Sequence, residues 1–391
     1  MFNIRTFNAI AERGLARFDA SRYAVSDAGE SPDGLVLRSH KLSMEEIPAS
    51  VKAIARAGAG VNNIPVEGCT EQGIVVFNTP GANANSVKEL VLTALLLASR
   101  DVYGGIQFVG GLAGESDDAE LNRLVEAEKK RFKGRELAGR SLGVVGLGAI
   151  GSMVARAALD LGMDVLGYDP AISVDAAWRL PSEVQRMENL PALFSRADYV
   201  TLHVPLLEET RGMINSESLS VFRQGSVLLN FAREPIVDAD ALRTALETGK
   251  VGKYVADFPV PGLIGHPNVL LTPHLGASTA EAEENCAVMA ANQLINFLET
   301  GSIQNSVNFP AVSLEASSGY RLGIVNRNVP GMLGQITTLL AEREINVVDM
   351  LNKSRGDIAY NLIDLGAAPD QALLDAIAGL DDVISVRVIG G

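Results

Sequence analysis

The stretch from Ser141 to Pro170, SLGVVGLGAIGSMVARAALDLGMDVLGYDP, decides the fold of this chain. It opens with an apolar run, Leu142 to Val145, that has the length of a buried strand, and three glycines follow in G-x-G-x-x-G spacing. A helical pattern then runs from Ile150 to Leu161, and Asp164 to Tyr168 reads as a second strand, which ends at Asp169. A strand, a glycine turn, a helix and a strand in this order predict a nucleotide-binding βαβ unit.

The three glycines are Gly146, Gly148 and Gly151, and each has its own task in a dinucleotide site. The first permits a tight turn, the second lets the backbone approach a pyrophosphate, and the third lets the helix pack close to the strand. The helix N-terminus then offers free N–H groups to the phosphates. Glycines also mark ordinary turns, so a plain structural turn is the alternative. The agreement of both strands, the helix and the terminal acid favours the dinucleotide site.

Asp169 indicates which dinucleotide is bound. An acid at this place accepts hydrogen bonds from a ribose 2′-hydroxyl, and its charge repels a 2′-phosphate. Pro170 and Ala171 follow it, so neither residue supplies a cation for that phosphate. The sequence therefore predicts NAD as the cofactor in preference to NADP.

Composition and charge limit the remaining possibilities. The chain has 391 residues, of which 47% are hydrophobic, and this length predicts two or three domains. Its net charge of −14 argues against a nucleic-acid partner. Two distant cysteines, Cys69 and Cys286, and scattered histidines predict neither a disulfide framework nor a metal site. We expect a soluble, cytoplasmic protein with no membrane partner, because the N-terminus does not read as a signal peptide and the longest apolar stretch, Leu90 to Ala98, is too short to span a bilayer.

The segments on both sides of the glycine stretch predict two parallel α/β domains. The first 80 or so residues alternate short strands with helical patterns but lack the dinucleotide glycines. Two loops there, Gly58 to Asn63 and Asn78 to Asn83, follow predicted strands, and such loops usually face a ligand; a simple turn is the alternative for the first. The β-α-β order continues past Asp169, which predicts a doubly wound parallel sheet.

The C-terminal part of the chain has a different pattern. A long helix, Thr279 to Leu298, is expected to return to the first domain and make it discontinuous, and Gly301 to Ser318 is polar and turn-rich, as in a linker. Tyr320 to Ile389 repeats a βαββαβ pattern, which predicts a ferredoxin-like domain. We therefore predict an α/β protein with two Rossmann-like domains and a ferredoxin-like domain. Their predicted bounds are residues 1–84 with 277–310 for the substrate domain, 85–276 for the NAD domain and 316–391 for the third.

Three polar side chains, those of Arg233, Asp257 and His274, follow predicted strands of the NAD domain. Ligands bind at the carboxyl ends of strands in such sheets, so we expect the three to share one site. An alcohol that loses a hydride needs a base, and a carbonyl that gains one needs an acid, and histidine serves as either. Arginine can hold a carboxylate through two N–H groups, and Asp257 is expected to hold the nicotinamide amide. The sequence thus predicts hydride transfer; a structural histidine and a surface ion pair are the alternatives for His274 and Arg233.

These motifs resemble those of the D-isomer-specific 2-hydroxyacid dehydrogenases over nearly the whole chain. Residues 146–151 are similar to the cofactor loop of that family, Asn230 to Arg233 to its catalytic arginine motif, and Thr272 to Gly276 to its catalytic histidine motif. Gly58 to Asn63 and Arg38-Ser39 are similar to its substrate loops. The resemblance implies that Arg233 and His274 are catalytic. It implies cofactor contacts from these residues: Gly146, Gly148, Ala149, Ile150, Gly151, Asp169, His203, Val204, Pro205, Thr210, Phe231, Ala232, Asp257 and Gly276.

Candidate substrate residues follow from positive charge and from the same resemblance. They are Arg38, Ser39, Ala59, Gly60, Asn83, Lys129, Lys130 and Arg131. For the basic run at 129–131, a solvated helix end is the alternative to a phosphate-attracting patch. From the sequence we expect His203, His40 and His266 to be structural or surface groups, although the resemblance places His203 among the cofactor contacts.

The C-terminal domain resembles an ACT domain, since Asn326 to Leu333 and Asn346-Val347 are similar to serine-binding segments. By that resemblance Asn328 and Asn346, together with Asn326, bind a serine effector. The family branch with this domain implies NAD-dependent oxidation of 3-phospho-D-glycerate to 3-phosphohydroxypyruvate, the first step of L-serine biosynthesis. A glyoxylate or hydroxypyruvate reductase and a non-catalytic NAD(H)-sensing binding protein are the alternatives. The helix from Ser86 to Arg100 and the segment after it resemble the dimer-forming region of the family, which implies a homodimer or a homotetramer.

Two positions depart from the family pattern. The family carries a glutamate after the strand of Asp257 that pairs with the histidine, whereas this chain continues Phe258-Pro259-Val260-Pro261 without one. We expect another acid or a water in its place, or a different working pH. Glu234 stands where the family has glycine, directly after Arg233, and its charge is expected to be unhelpful towards an anionic substrate.

Overall fold

A computed structural model describes residues 1–315 and 319–390. The described residues divide into two compact units. The first unit is Met1–Asn83 with the described part of Ala280–Gly391, and the second unit is Ala84–Thr279. The predicted α/β class, with parallel Rossmann-like sheets followed by an antiparallel C-terminal sheet, is confirmed.

The N-terminal part of the first unit is a parallel sheet with the strand order β2-β1-β3-β4-β5. The strand β3 is buried along its whole length, which explains its unbroken apolar sequence GLVL. The edge strand β2 was not predicted, because only its first residue, Tyr23, is buried and no apolar alternation marks it. The elements are β1 Phe2–Phe7, α1 Glu12–Leu15, β2 Tyr23–Ser26, β3 Gly34–Leu37, β4 Ala53–Arg56, α2 Val66–Glu71 and β5 Val75–Phe77.

The second unit is a doubly wound parallel sheet with the strand order β12-β11-β10-β9-β6-β7-β8. The chain moves outward from the central β6 to one edge and then returns to build the other, so the strand order reverses beside the glycine stretch. The helix Asp118–Glu128 is followed by a 3-10 turn, Lys129–Phe132, which carries the basic run at 129–131. The elements are α3 Ala84–Ser99, α4 Val102–Gly110, α5 Asp118–Glu128, β6 Ser141–Val145, α6 Ala149–Asp160, β7 Asp164–Tyr168, α7 Val174–Ala177, β8 Gln185–Arg186, α8 Leu190–Arg196, β9 Tyr199–Leu202, α9 Ser216–Ser220, β10 Ser226–Asn230, α10 Ala239–Glu247, β11 Val251–Ala256 and β12 Val269–Leu271.

The chain re-enters the first unit with a long helix and then forms the C-terminal sheet, an antiparallel sheet with the order β14-β15-β13-β16. This order and the two intervening helices are those of the predicted ferredoxin-like pattern. The elements are α11 Ala280–Thr300, β13 Tyr320–Arg327, α12 Met332–Ala341, β14 Val347–Arg355, β15 Ile358–Leu365, α13 Gln371–Ala378 and β16 Val383–Ile389.

The segment from Gly301 to Glu315 is not the linker that its polar composition predicted. Ile303 and Phe309 are almost fully buried, and Ile303 pairs with Val312 in a β-bridge. Widely spaced apolar residues therefore fix this segment into the core, although polar residues separate them in the sequence. The rest of the predicted linker, residues 316–318, lies outside the described residues.

One face of the C-terminal sheet packs against α11 and the segment after it. Tyr360 contacts Phe309 and donates a hydrogen bond to the carbonyl of Gly301 (2.9 Å). The Arg321 guanidinium binds both carboxylate oxygens of Asp364 (2.6 and 2.9 Å) and donates to the Thr300 carbonyl at the end of α11 (3.0 Å). The two C-terminal helices cover the other face with a separate core. Among residues 1–315 and 319–390, no helix combines the length and the apolarity needed to cross a membrane.

Candidate active site

The glycine turn between β6 and α6 has the geometry of a pyrophosphate site. Gly146 has φ = 89°, a left-handed conformation that favours glycine. A Cβ at Gly151 would lie 1.9 Å from the Gly146 carbonyl oxygen, so the helix packs on the turn only without a side chain. Gly148 begins α6 without a side-chain cap, and within the second unit nothing lies within 4 Å of a Cβ placed there. The unpaired N–H groups of the first helical turn thus face open space, and these residues fit NAD.

Asp169 closes the same site at the end of β7. One carboxylate oxygen accepts from the Leu147 N–H (2.8 Å) and the other from the Ala171 N–H (2.9 Å). These bonds fix the orientation of the carboxylate, and each oxygen keeps a lone pair for a ribose hydroxyl.

His203 follows β9 and lies beside the glycine turn. Its carbonyl oxygen is 2.7 Å from the position that a Cβ of Gly146 would take, and its ring Nε2 lies 2.9 Å from Thr201 Oγ1. Burial lowers the pKa of His203 to about 3, so the ring is neutral at physiological pH. After it, the Thr210 hydroxyl donates to the Pro205 carbonyl (2.7 Å) and holds the predicted cofactor segment in a tight turn.

Arg233, Asp257 and His274 come from the carboxyl ends of three neighbouring strands. Arg233 follows β10, Asp257 follows β11 and His274 follows β12, and these strands are adjacent in the sheet. The Arg233 and His274 side chains are exposed, whereas Asp257 is only 3% exposed. An exposed cation and an exposed imidazole at one sheet edge are available to a ligand.

Asp257 binds the histidine loop, residues 272–276. One carboxylate oxygen accepts from the Thr272 hydroxyl (2.6 Å) and the Leu275 N–H (2.7 Å), and the other accepts from the Gly276 N–H (2.6 Å). His274 has φ = 61° inside this loop, a conformation rare for residues other than glycine. The carboxylate therefore holds a strained backbone that presents the imidazole.

The position of the missing family glutamate is next to an aromatic contact. The ring of Phe258 meets the His274 ring edge to face, with centroids 5.0 Å apart and planes at 67°. Within residues 84–279, no carboxylate hydrogen-bonds to this imidazole. Glu234, the other departure, is exposed and begins a short 3-10 turn directly after Arg233.

Most candidate substrate residues of the first unit follow β3 and β4, and Asn83 follows β5. Arg38 follows β3, and its guanidinium contacts the Glu283 carboxylate on α11 (2.6 Å). Sequence reasoning missed Arg56, the last residue of β4. Its Nε donates to the Arg38 carbonyl (3.2 Å), and its Nη1 is 2.1 Å from the position that a Cβ of Gly58 would take. The strand-end position was a signal, because Arg56 lies two residues before the glycine loop.

The predicted basic run at 129–131 belongs to the second unit and lies in the 3-10 turn Lys129–Phe132. The Lys129 ammonium pairs with Glu126, and the Arg131 guanidinium pairs with Glu128 (2.8 Å), so both bind carboxylates of their own segment. Lys130 is exposed on the same turn. These contacts favour the solvated helix end, and a substrate role for the run stays a prediction.

The predicted effector residues differ in exposure. Asn326 is 2% exposed and accepts a hydrogen bond from the Asn361 side chain (2.7 Å) inside the C-terminal sheet. Asn328 and Asn346 are exposed, and Asn328 donates to the Gly356 carbonyl (3.1 Å). The two exposed amides are available to an effector, whereas the buried one is engaged within the fold.

Comparison with known proteins yields two domain matches. Residues 113–276 match the family model of the D-isomer specific 2-hydroxyacid dehydrogenase, NAD binding domain. Residues 320–382 match the ACT domain. The first match contains the glycine turn, Arg233, Asp257 and His274, and it confirms NAD as the cofactor.

Several similar proteins are named D-3-phosphoglycerate dehydrogenase or 3-phosphoglycerate dehydrogenase. The chain is 35% identical over 372 residues to D-3-phosphoglycerate dehydrogenase of Haemophilus influenzae, covering 91% of this chain and 86% of that one. It is 35% identical over 342 residues to the enzyme of the same name from Methanocaldococcus jannaschii, covering 85% of this chain and 62% of that longer relative. The NAD⁺-bound 3-phosphoglycerate dehydrogenase of Entamoeba histolytica has a similar structure, with a TM-score of 0.60 and 27% identity, covering 78% of this chain and 98% of that one.

Proposed function

This chain belongs to the D-isomer specific 2-hydroxyacid dehydrogenase family, and from that membership we propose that it catalyses the D-3-phosphoglycerate dehydrogenase reaction. The reaction is the NAD-dependent oxidation of 3-phospho-D-glycerate to 3-phosphohydroxypyruvate, which opens L-serine biosynthesis. The names of the relatives support the substrate. One observation carries the mechanism: Arg233, Asp257 and His274 stand at the carboxyl ends of three neighbouring strands.

In the proposed mechanism the His274 imidazole accepts the proton of the substrate C2 hydroxyl and returns it in the reverse reaction. Arg233 binds the substrate carboxylate through its guanidinium and orients C2. Asp257 keeps the histidine loop in the conformation that presents the imidazole. When bound, NAD would supply the hydride acceptor that this two-electron oxidation of C2 needs.

The chain's own residues explain how the cofactor is oriented. The N–H groups in the first turn of α6 would donate hydrogen bonds to the pyrophosphate, and Gly148 leaves room for that group. Asp169 accepts from the adenosine ribose, with a carboxylate already fixed by two backbone N–H groups.

For the substrate phosphate we propose Arg38 and Arg56. Two cations at adjacent strand ends attract a dianion more strongly than one cation does. Glu283 holds Arg38 through a single contact, which leaves its other N–H groups for the phosphate. The side chains of Arg38 and Glu283 are 40% and 41% exposed, so a ligand can reach them.

The regulatory and assembly parts of the proposal rest on the C-terminal domain and on α4. Residues 316–391 act as an ACT regulatory domain that binds serine through Asn328 and Asn346, with residues 1–84 and 277–310 as the substrate domain. Apolar side chains are exposed on α4 at Val102, Tyr103, Ile106 and Val109. We assign this apolar face to the contact between copies of the chain in a homodimer or homotetramer. A cytoplasmic location belongs to the same proposal.

The proposal is tested by NADH formation from NAD and 3-phospho-D-glycerate. Turnover that depends on His274 and Arg233 is expected, and it should be lost in His274→Asn and Arg233→Gln. A higher kcat/KM for the reduction of glyoxylate or hydroxypyruvate would instead favour the reductase. Binding of NADH without turnover of any 2-hydroxy acid would favour the NAD(H) sensor.

Phosphate recognition has its own matched test. Arg38→Ala should raise KM for 3-phospho-D-glycerate about tenfold and change KM for an unphosphorylated 2-hydroxy acid much less. Arg13→Ala is the control, because Arg13 also pairs with a glutamate of α11, Glu284, at 3.1 Å. Equal effects of Arg38→Ala on both substrates would remove Arg38 from this role.

A further inference from the structure

A cavity of about 400 Å³ opens in the second unit at the amino ends of β6, β9, β10 and β11. Arg140 precedes β6, Asp198 precedes β9, Gly225 precedes β10, and Lys253 lies near the start of β11. Arg233, Asp257 and His274 stand at the opposite, carboxyl ends of the same sheet. The cavity is therefore separate from the candidate active site of this unit.

Four cationic residues line this cavity: Lys133, Arg135, Arg140 and Lys253. Within the described part of the chain, none of them forms an ion pair, whereas cations elsewhere on this unit, such as Arg123, bind a carboxylate. In a chain with a net charge of −14, an unpaired cluster of this kind is a local exception. Four like charges around one cavity repel each other unless an anion stands between them.

The two carboxylates that line the cavity do not neutralise these cations. Asp198 accepts from the Ser141 N–H (3.0 Å) and hydroxyl (3.1 Å) and pairs with Arg223 (3.0 Å). Asp101 caps the start of α4 by accepting from the Gly104 N–H (3.1 Å). Both carboxylates are thus occupied by other partners, and the cavity keeps an excess of positive charge.

The floor of the cavity is closely packed backbone. A Cβ at Gly252 would lie 2.8 Å from the Gly225 carbonyl oxygen, and one at Gly134 would lie 2.2 Å from the Ser99 carbonyl oxygen. On the wall, the hydroxyls of Ser99 and Tyr199 bind each other at 2.8 Å. The cavity thus has a rigid polar floor beneath side chains that carry the charge.

We propose that this cavity binds a small polyanion that carries two or more phosphate or carboxylate groups. A volume of about 400 Å³ holds a metabolite-sized ligand. Arginine and lysine side chains recognise both kinds of group, arginine through paired N–H donors and lysine as a point charge. Because the site lies at the far edge of the sheet from the nucleotide turn, binding there leaves the nucleotide position free.

The test is calorimetric titration of the full chain, saturated with NADH so that the nucleotide site is filled. Inorganic pyrophosphate is one probe and citrate is the other. We expect at least one probe to bind with one equivalent per chain and with an affinity that falls as the salt concentration rises. Binding of pyrophosphate alone identifies phosphate as the recognised group, and binding of citrate alone identifies carboxylate.

Variants then locate the binding site. Arg135→Gln/Lys253→Gln should weaken binding of the probe about tenfold or more, because two charge-assisted contacts are lost. The control Arg123→Gln/Arg243→Gln removes the same charge from cations that already pair with carboxylates on exposed helices, and it should bind as the unmodified chain does. Lys253→Arg keeps the charge and should keep binding, which separates loss of a ligand contact from damage to the fold.

Two results would overturn the proposal. One is that neither probe binds the NADH-saturated chain, and the other is that Arg135→Gln/Lys253→Gln binds as tightly as the control does. Turnover of 3-phospho-D-glycerate in the absence of a probe tests the proposed function and is independent of both results.

Discussion

Replacement of Asp257 by asparagine separates two roles for this residue. The sequence assigns Asp257 to the nicotinamide amide, whereas the structure directs its carboxylate to the histidine loop. In Asp257→Asn the amide oxygen can still accept from Thr272 and Leu275. The amide nitrogen then faces the Gly276 N–H, so two donors meet where the present bond measures 2.6 Å.

The expected cost follows from these contacts. A buried hydrogen bond to a charged group is worth about 1.5–3 kcal/mol, and an unsatisfied donor adds about 1–3 kcal/mol. We expect the free energy of unfolding to fall by about 3 kcal/mol. The same loss lets His274 leave its left-handed conformation, so kcat should fall about 10- to 100-fold while binding of NADH changes less than about twofold.

The assay combines steady-state kinetics, a direct NADH titration and urea unfolding. Thr272→Val is the control, because it removes one donor but leaves both backbone N–H groups on the carboxylate, and kcat should change only a few-fold. The reasoning fails if Asp257→Asn weakens NADH binding tenfold at unchanged stability, since that pattern belongs to a residue that holds the cofactor.

Three further predictions concern other parts of the fold. Gly148→Ala should fold normally but bind NADH at least about tenfold more weakly, since its methyl group occupies the space through which the pyrophosphate approaches. Gly151→Ala should lower the free energy of unfolding by about 3 kcal/mol, because its Cβ would lie 1.9 Å from a backbone oxygen. NADH titration and urea unfolding measure both effects. The pKa of His203 is about 3 in the folded chain and about 6.5 when unfolded, so below pH 6.5 only the unfolded state takes up the proton and stability is lost as the pH falls. Between pH 7 and pH 5, the free energy of unfolding measured in urea should fall less in His203→Gln than in the unmodified chain. An equal fall in both would contradict this prediction. Arg321→Met leaves the buried Asp364 carboxylate unpaired and should lower the free energy of unfolding by about 3–5 kcal/mol. The double variant Arg321→Met/Asp364→Leu should recover much of this loss. Thermal and urea unfolding measure both variants, and equal instability of the two would contradict the prediction.

The fold could be predicted where local sequence and burial agree. The glycine stretch specifies its own turn, because Gly146 needs a positive φ and Gly151 allows no side chain. The same is true of β3, whose residues are all buried and whose sequence GLVL is apolar throughout. In such segments the local sequence and the tertiary environment favour the same structure at each position.

The fold and the site could not be predicted where burial depends on distant partners. Phe309 fixes the segment after α11 only because Tyr360 comes from a strand of the C-terminal sheet to meet it, with ring centroids 6.3 Å apart. Arg56 joined the candidate substrate residues because β4 lies beside β3 and places its guanidinium near Arg38. Neither pairing has a signal in local periodicity, since each depends on tertiary contacts.

A glutamate that pairs with a catalytic histidine can orient the imidazole and can also stabilise its positive charge, and this chain lacks that glutamate. Here Asp257 orients the loop through backbone N–H groups, and the edge-to-face contact with Phe258 fixes the plane of the ring, so orientation is preserved without the glutamate. Neither contact supplies a negative charge to the protonated ring, because Asp257 binds the loop backbone and Phe258 is neutral. It follows that a carboxylate introduced against this ring should shift the pH profile of kcat/KM more than it changes the maximal rate.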